Sequence, residues 1–294
     1  MTGEVIDGKK IADEVRSELK PRLAKLTERG IVPGLAAIIV GEDPASKLYV
    51  KMKGKASEEM GLAQWTIELP ENVSEPDLLR EVGRLNQDTK VHGILVQQPL
   101  PAHIRVDAAV SAVSPLKDVD CFHPVNVGLV LIGRPRFAPA TPAGVIELLI
   151  RSGYDPSGRD VVILGRSNIV GKPLAALLMQ KAPGANATVT IAHSATKDLA
   201  AHTRRAEILI AAIGSPRFVT ADMVRSGVVV IDVGINRVAD PTSKTGFGTV
   251  GDVDFDAVRK KATAISPVPG GVGPMTIAML LSNTVRAAEA SHPG

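Results

Sequence analysis

The sequence predicts an α/β fold in two domains, each built on a parallel sheet. Three observations predict it. Short apolar segments alternate with longer segments of helical character along nearly the whole chain, the pattern of strands joined by crossover helices. The 294 residues are 45% hydrophobic but only 3% aromatic, so the core must be Val, Ile, Leu and Ala, as a sheet buried on both faces prefers. Finally, Gly165-Arg-Ser-Asn-Ile-Val-Gly171-Lys-Pro173 follows the apolar strand Asp160-Val-Val-Ile-Leu164 and opens a helix. A glycine-bearing turn at that junction favours an anion, through its free backbone N–H groups and the helix dipole.

Taken in order, Gly8 to Arg29 reads as a helix ended by Gly30, and Leu35–Val40 as a strand. Asp43 offers an N-cap and Pro44 a first turn for a helix running to Gly61. Leu62–Leu69 is a strand, Glu75–Asp88 a helix and Gly93–Gln97 a third strand, followed by a short helix over Asp107–Val113. Thr141 and Pro142 are expected to cap a long helix to Ser152. The second unit then has strands at Val161–Leu164, Ala187–Ile191, Glu207–Ile213 and Val228–Val233, with helices between the first three, which is a Rossmann-type arrangement. Asp240 to Gly246 reads as a polar surface loop, and Thr276–Ala290 as a last helix that crosses back to the first domain. The expected domains are 1–140 with 274–294, and 141–273.

Composition excludes several function classes. The net charge of +3 is mild, and no Lys/Arg run is interleaved with aromatics, so nucleic acid is not an expected partner. No segment approaches a membrane span in length, and the N-terminus lacks a basic region followed by an apolar run. The single cysteine, Cys121, rules out an intrachain disulfide and suits a reducing, cytoplasmic setting. The six histidines are scattered without metal-ligand spacing, so no metal site is expected.

The glycine turn lacks the standard G-x-G-x-x-G spacing, which weakens it as a dinucleotide signal on its own. The next strand sharpens it. NAD-binding units place an acid at the end of that strand to hold the ribose 2′-hydroxyl. Here Ala192-His193-Ser194 stands there instead, with Arg166 in the first turn. That basic, hydroxyl-lined surface suits a 2′-phosphate, so the expected cofactor is NADP.

Tyr49 and Lys53 lie four apart and share a helix face, away from Lys51 and Lys55. An enclosed lysine beside a tyrosine can carry protons, although on spacing alone a solvated lysine is the commoner arrangement. Gly54 sits mid-helix at about 1 kcal/mol against alanine, so a close neighbour is expected there. Gln97 ends the third strand, where ligands of open parallel sheets bind. Asp118 and Asp120 fall in a polar turn and could hold an amidine-like edge or merely cap the turn. Pro267-Val-Pro-Gly-Gly-Val-Gly-Pro274-Met-Thr276 fixes its path with prolines and admits close approach at glycines.

Five motifs together, Ser46-x-x-Tyr49-Val-x-x-Lys53-x-Lys55, Lys117-Asp-Val-Asp120, Phe122-His-Pro-x-Asn126-x-Gly128, the Gly165–Pro173 turn and the Pro267–Thr276 stretch, resemble the motif set of bifunctional methylenetetrahydrofolate dehydrogenase/methenyltetrahydrofolate cyclohydrolases. The order matches and the motifs span nearly the whole chain. The resemblance implies NADP-dependent oxidation of 5,10-methylenetetrahydrofolate and hydrolysis of the methenyl product to 10-formyltetrahydrofolate, in a homodimer. It implies that Lys53 is the acid–base residue, that Tyr49 orients it and stacks near the pterin, that Gln97 tunes it, and that Asp120 holds the amino-pyrimidinone edge. Pro267 and Gly271 would line the substrate site. Gly165, Arg166, Ser167, Gly171, His193 and Ser194 would hold the cofactor, and Ile235 would lie beside the nicotinamide. The chain departs from the family at Gln98 (usually Leu), Cys121 (usually Gly), and Ala140 and Ala192 (usually Cys). Two other readings stay open on sequence: a monofunctional dehydrogenase, and a dinucleotide-binding sensor without turnover.

Overall fold

The computed structural model describes residues 2–243 and 246–292. In chain order its elements are β1 (Glu4–Val5), α1 (Gly8–Glu28), β2 (Gly34–Val40), α2 (Pro44–Glu59), β3 (Ala63–Leu69), α3 (Glu75–Gln87), β4 (Gly93–Val96), α4 (Val106–Ala112), α5 (Pro124–Leu131), α6 (Ala140–Arg151), β5 (Asp160–Leu164), α7 (Gly171–Leu178), β6 (Thr188–Ala192), α8 (Leu199–Arg205), β7 (Ile208–Ala211), β8 (Val229–Asp232), β9 (Asn236–Ala239), β10 (Phe247–Val250), α9 (Phe255–Arg259), β11 (Ala264–Ile265) and α10 (Val272–Ser291). They form two compact units. One holds Glu14–Ala140 and the chain from Ile277 onward; the other holds the chain up to Asp13 and Thr141–Thr276.

The first unit carries a three-stranded parallel sheet in the order β3-β2-β4. The central strand, Gly-Leu-Ala-Ala-Ile-Ile-Val, is buried along its whole length, which is why its sequence runs apolar without alternation. Ile38, Val40 and Ile94 pack against Leu78, Val82 and Leu85 of α3. The C-terminal helix joins this unit as expected: Ile277, Leu281, Val285 and Ala288 pack against Leu19, Leu23 and Leu26 of α1. Arg22 grips Glu289 through two hydrogen bonds, of 2.9 and 2.6 Å.

The second unit carries a six-stranded sheet in the order β1-β11-β8-β7-β5-β6, parallel throughout. After β5 the chain passes to β6 on one side, then returns to β7 on the other. Such a reversal opens a crevice at the carboxyl ends of the two strands that flank it, and the Gly165 turn leaves β5 there.

The structure corrects several boundaries. β1 pairs with β11, Glu4 opposite Ala264, so the residues up to Asp13 count with the second unit, whereas the sequence reading placed 1–140 together. A two-residue strand carries no periodic signal. α6 starts at Ala140, so Thr141 is not its cap; its hydroxyl lies 2.9 Å from that of Thr276. α10 starts at Val272, so the end of the Pro-Gly stretch is helical and Pro274 sits in a first turn that tolerates it. The polar loop joins β9 to β10, an antiparallel pair that the sequence reading missed; Lys244 and Thr245 lie outside the described residues. Among the described residues no helix is long and apolar enough to cross a membrane.

Candidate active site

α2 sets the geometry of the first site. Asp43 caps it, accepting a hydrogen bond from the Ser46 amide at 2.8 Å, and Pro44 fills the first position. With the start fixed, the helical period points Ser46, Val50, Lys53 and Ser57 inward, while Lys51 and Lys55 are exposed. Lys53 is only 5% exposed. Its Nζ donates to Gln97 Oε1 at 3.3 Å and lies 5.0 Å from the centre of the Tyr49 ring. Gln97 is aimed from the carboxyl end of β4 and is itself held, its Nε2 donating to the Gln98 carbonyl at 2.7 Å. That carbonyl also faces the Ser46 hydroxyl at 3.5 Å.

The two acids of the polar turn have different roles. Asp118 accepts from the Phe122 amide (3.0 Å), the His123 amide (2.9 Å) and the Asn126 side chain (2.8 Å). It is committed to folding the turn. Asp120 is 9% exposed, and no donor among the described residues shifts its pKa by hydrogen bonding. Burial pushes that carboxyl up to about 6, with Lys53 pulling it down and Asp118 pushing it further up. Burial in turn holds the Lys53 ammonium below its ordinary range, opposed by the charge of Asp120. An amine whose charged form burial disfavours therefore stands near a carboxyl group that no described residue holds by a hydrogen bond.

Cys121 stands where the motif resemblance leads to glycine, and its backbone shows why glycine suits the position. Its φ is +61°, a conformation that favours glycine, and its Sγ donates to the Phe137 carbonyl at 3.2 Å. Burial and the two neighbouring acids push the thiol up, so it is not a nucleophile at neutral pH. Cys121→Ser keeps a donor at that position, and the two activities that the motif resemblance implies are expected to stay within about twofold, since only a neutral hydrogen bond is exchanged; steady-state assays before and after substitution check this. Gly54 meets its close neighbour within the protein: a Cβ there would lie 3.2 Å from the Gln64 side-chain amide carbon.

The second set of residues clusters at the ends of β5 and β6. Leu164 pairs with Ala192, so Gly165-Arg166-Ser167 and His193-Ser194 leave adjacent strands side by side. Gly165 has φ +119°, and a Cβ on it would collide with the Ala212 carbonyl oxygen. A Cβ on Gly171 would collide with the Gly165 carbonyl oxygen. Both glycines are thus required by the turn itself, which brings bare backbone to the start of α7. Arg166, Ser167 and Ser194 are exposed. His193 Nδ1 accepts from the Ala195 amide at 3.2 Å, which leaves the ring proton on Nε2 as a donor. Ile235 follows β8 with 59% of its surface exposed. Pro267 and Gly271 lie in the second unit, and Gly271 is packed by protein: a Cβ there would stand 2.6 Å from the Pro267 carbonyl oxygen.

Sequence reasoning named Ser46 in its first motif but gave it no role, whereas its hydroxyl faces the Gln98 carbonyl, and it missed the buried acids Asp232 and Asp252. Ser46 had a readable signal, since it shares a face with Tyr49, Val50 and Lys53. Among the described residues no group of three or more His, Cys, Asp or Glu could hold a metal ion.

Comparison with known proteins gives concordant matches. Residues 6–120 match the family model for the tetrahydrofolate dehydrogenase/cyclohydrolase catalytic domain, and residues 139–292 that for its NAD(P)-binding domain. The chain is 54% identical to the bifunctional protein FolD of Prosthecochloris aestuarii, over 98% of this chain and 99% of that protein. Among solved structures it is similar to the bifunctional FolD enzyme of Campylobacter jejuni (48% identity, TM-score 0.91, 97% of this chain and 98% of that one). It is also similar to the Trypanosoma brucei enzyme solved with NADP cofactor and inhibitor (44% identity, TM-score 0.95, the whole of both chains).

Proposed function

The chain belongs to the tetrahydrofolate dehydrogenase/cyclohydrolase family, and from that premise we propose which side chains carry its two reactions. It is a bifunctional one-carbon folate enzyme, oxidising 5,10-methylenetetrahydrofolate with NADP⁺ and hydrolysing the methenyl product to 10-formyltetrahydrofolate. The observation that carries the residue assignment is the buried Lys53 amine on Gln97 Oε1, with Asp120 nearby and free to accept.

In the hydrolytic step water adds to the methenyl carbon and the adduct sheds a proton. Lys53 Nζ takes it, because burial makes the neutral amine accessible. A proton returns to the ring nitrogen as the carbon–nitrogen bond opens, leaving the formyl group. Gln97 fixes Nζ, and Tyr49 flanks it and stacks beside the pterin. Asp120 accepts from the amino-pyrimidinone edge, a donor pair that the fold leaves unmatched at that carboxylate.

The Gly165–Gly171 turn leaves β5 at the crevice of the sheet and opens α7 with bare backbone, which fits a dinucleotide phosphate. Gly165, Arg166, Ser167 and Gly171 would hold NADP there, with His193 and Ser194 toward the 2′-phosphate and Ile235 beside the nicotinamide. The bound dinucleotide would supply the hydride acceptor for the methylene carbon, and these residues would supply its alignment. Replacing Arg166 is expected to raise KM for NADP⁺ far more than for NAD⁺. Equal efficiency with both cofactors in the parent enzyme would refute the pocket.

The Asp120–Lys53 coupling predicts a pH effect of known sign. The Asp120 charge favours the Lys53 ammonium, so removing it lowers the lysine pKa further. In Asp120→Asn the acid limb of cyclohydrolase kcat/KM against pH is therefore expected to move to lower pH, with a raised KM for folate. An unmoved or upward-shifted limb would separate Asp120 from Lys53.

The enzyme works in the cytoplasm as a homodimer, with tetrahydrofolate derivatives and neither nucleic acid nor membrane as partners. β3, a seven-residue edge strand with Trp65 37% exposed, supports the dimer, because an edge strand is a ready template for a second chain. Light scattering should give twice 30.8 kDa; the single-chain mass would overturn it.

A further inference from the structure

The second unit buries two carboxylates that the reactions above do not use. Asp232 ends β8 at 3% exposure, and Asp252, two residues past β10, is fully buried. Asp252 Oδ2 accepts from the amides of Ile213 (2.7 Å) and Gly214 (2.9 Å), and its Oδ1 from the Ser215 amide (3.0 Å) and the Asn236 side chain (2.8 Å). Asp232 Oδ1 accepts from the amides of Gly234 (2.9 Å) and Asp252 (3.0 Å), and its Oδ2 from the Val253 amide (2.9 Å). The sequence makes room for both: a Cβ on Gly251 would collide with Asp232, and a Cβ on Gly234 with Asp252.

These bonds converge on one place. The loop after β7 is held by three consecutive amides on Asp252. In the loop after β8, Ile235 stands between two residues that are each tied down, Gly234 to Asp232 and Asn236 to Asp252. The Ile235 side chain is itself mostly exposed, so apolar packing does not fix it. Buried carboxylates are costly unless fully hydrogen-bonded, and a fully satisfied polar network specifies one backbone geometry where an apolar core would tolerate several. An apolar cluster could have filled this volume without defining where the loops end.

We propose that Asp232 and Asp252 are positioning residues for the dehydrogenase step, locking the Ile213–Ser215 and Gly234–Asn236 loops at the carboxyl ends of β7 and β8 and so fixing where the nicotinamide is seated. The proposal rests on the reading that the second unit seats NADP at the carboxyl ends of its strands. A misplacement of about 1 Å in reacting groups can cost on the order of 10²-fold in rate, which is the scale of effect at issue.

The test uses the full-length enzyme and assays the two half-reactions separately. Asp252→Asn sets an amide NH₂ against backbone N–H groups while keeping the shape. It is expected to lower dehydrogenase kcat by about tenfold or more, with KM for NADP⁺ changing much less and methenyltetrahydrofolate hydrolysis nearly intact. Asn236→Ala removes one bond to Asp252 and leaves its charge, and covers the case in which Asp252→Asn does not fold; it is expected to shift kcat the same way by a smaller factor. A role in folding alone would lower both activities in proportion to the folded fraction. Unchanged dehydrogenase kcat in the folded variants overturns the proposal, whatever Ile235→Ala does. Loss of kcat with hydrolysis intact supports the clamp even if Ile235→Ala is silent, in which case the assignment of Ile235 falls and the clamp stands.

Discussion

Lys53→Met is expected to remove nearly all conversion of methenyl- to 10-formyltetrahydrofolate, by the ~10²–10⁴-fold that a general acid–base group supplies. Methionine is unbranched and fills much the same buried slot, so the change deletes the proton carrier rather than the packing. It also leaves the buried Asp120 carboxyl without the cation beside it and Gln97 Oε1 without its donor, and removing one partner of a buried pair destabilises. The thermal midpoint is therefore expected to fall, and both activities are compared per folded enzyme. Dehydrogenase activity should fall less, because hydride transfer needs alignment and no proton carrier at Nζ. Gln97→Ala acts through the same contact, so the two substitutions should be non-additive. Lys51 and Lys55 are exposed, and Lys55 is within 3.7 Å of Glu59; their replacement should be nearly silent. Normal cyclohydrolase activity in Lys53→Met, or an equal effect at Lys51, would remove α2 from the chemistry.

The second large effect is expected at Gly165. Its φ of +119° is closed to other residues, and the obstacle to a Cβ is backbone: the Ala212 carbonyl, with its carbon at 2.8 Å. Ala212 cannot yield, because its amide continues the β5–β7 ladder by donating to the Leu164 carbonyl at 2.8 Å. Backbone strain of this kind costs about 1–3 kcal/mol before the clash is counted. Gly165→Ala is thus expected to lose NADP binding and to destabilise the second unit by roughly 3 kcal/mol or more. Gly54→Ala is the contrast: its nearest neighbour is the movable Gln64 amide, and the helix gains up to about 1 kcal/mol from alanine. Denaturant unfolding and cofactor titration separate the two. Parent-like NADP affinity in Gly165→Ala would show that the turn has another purpose.

How much of this was legible in the sequence depends on whether the signal was local. The start of α2 was, because Asp43, Pro44 and the Ser46 amide form one cap. The glycine turn was, because a strand and a helix flank it. The burial of Lys53 was not: spacing placed it on the face of Tyr49, away from Lys51 and Lys55, but a solvated lysine is the commoner arrangement there, and only the motif set reversed that reading. The separate roles of Asp118 and Asp120 were closed for the same reason, since the donors that occupy Asp118 come from the following turn and helix. Asp232 and Asp252 are twenty residues apart, and their meeting is a product of sheet order. β1 was hidden because two residues carry no period, and its partner β11 lies at the far end of the chain.

Burial leaves Lys53 able to exchange its proton more readily than an ordinary lysine. A pH titration of the Lys53 side-chain nitrogen by ¹⁵N NMR, assigned with Lys53→Met, measures this. The midpoint is expected below the ordinary 10.5, falling further in Asp120→Asn. A midpoint at 10.5 that is indifferent to Asp120 would take Lys53 out of the proton transfer.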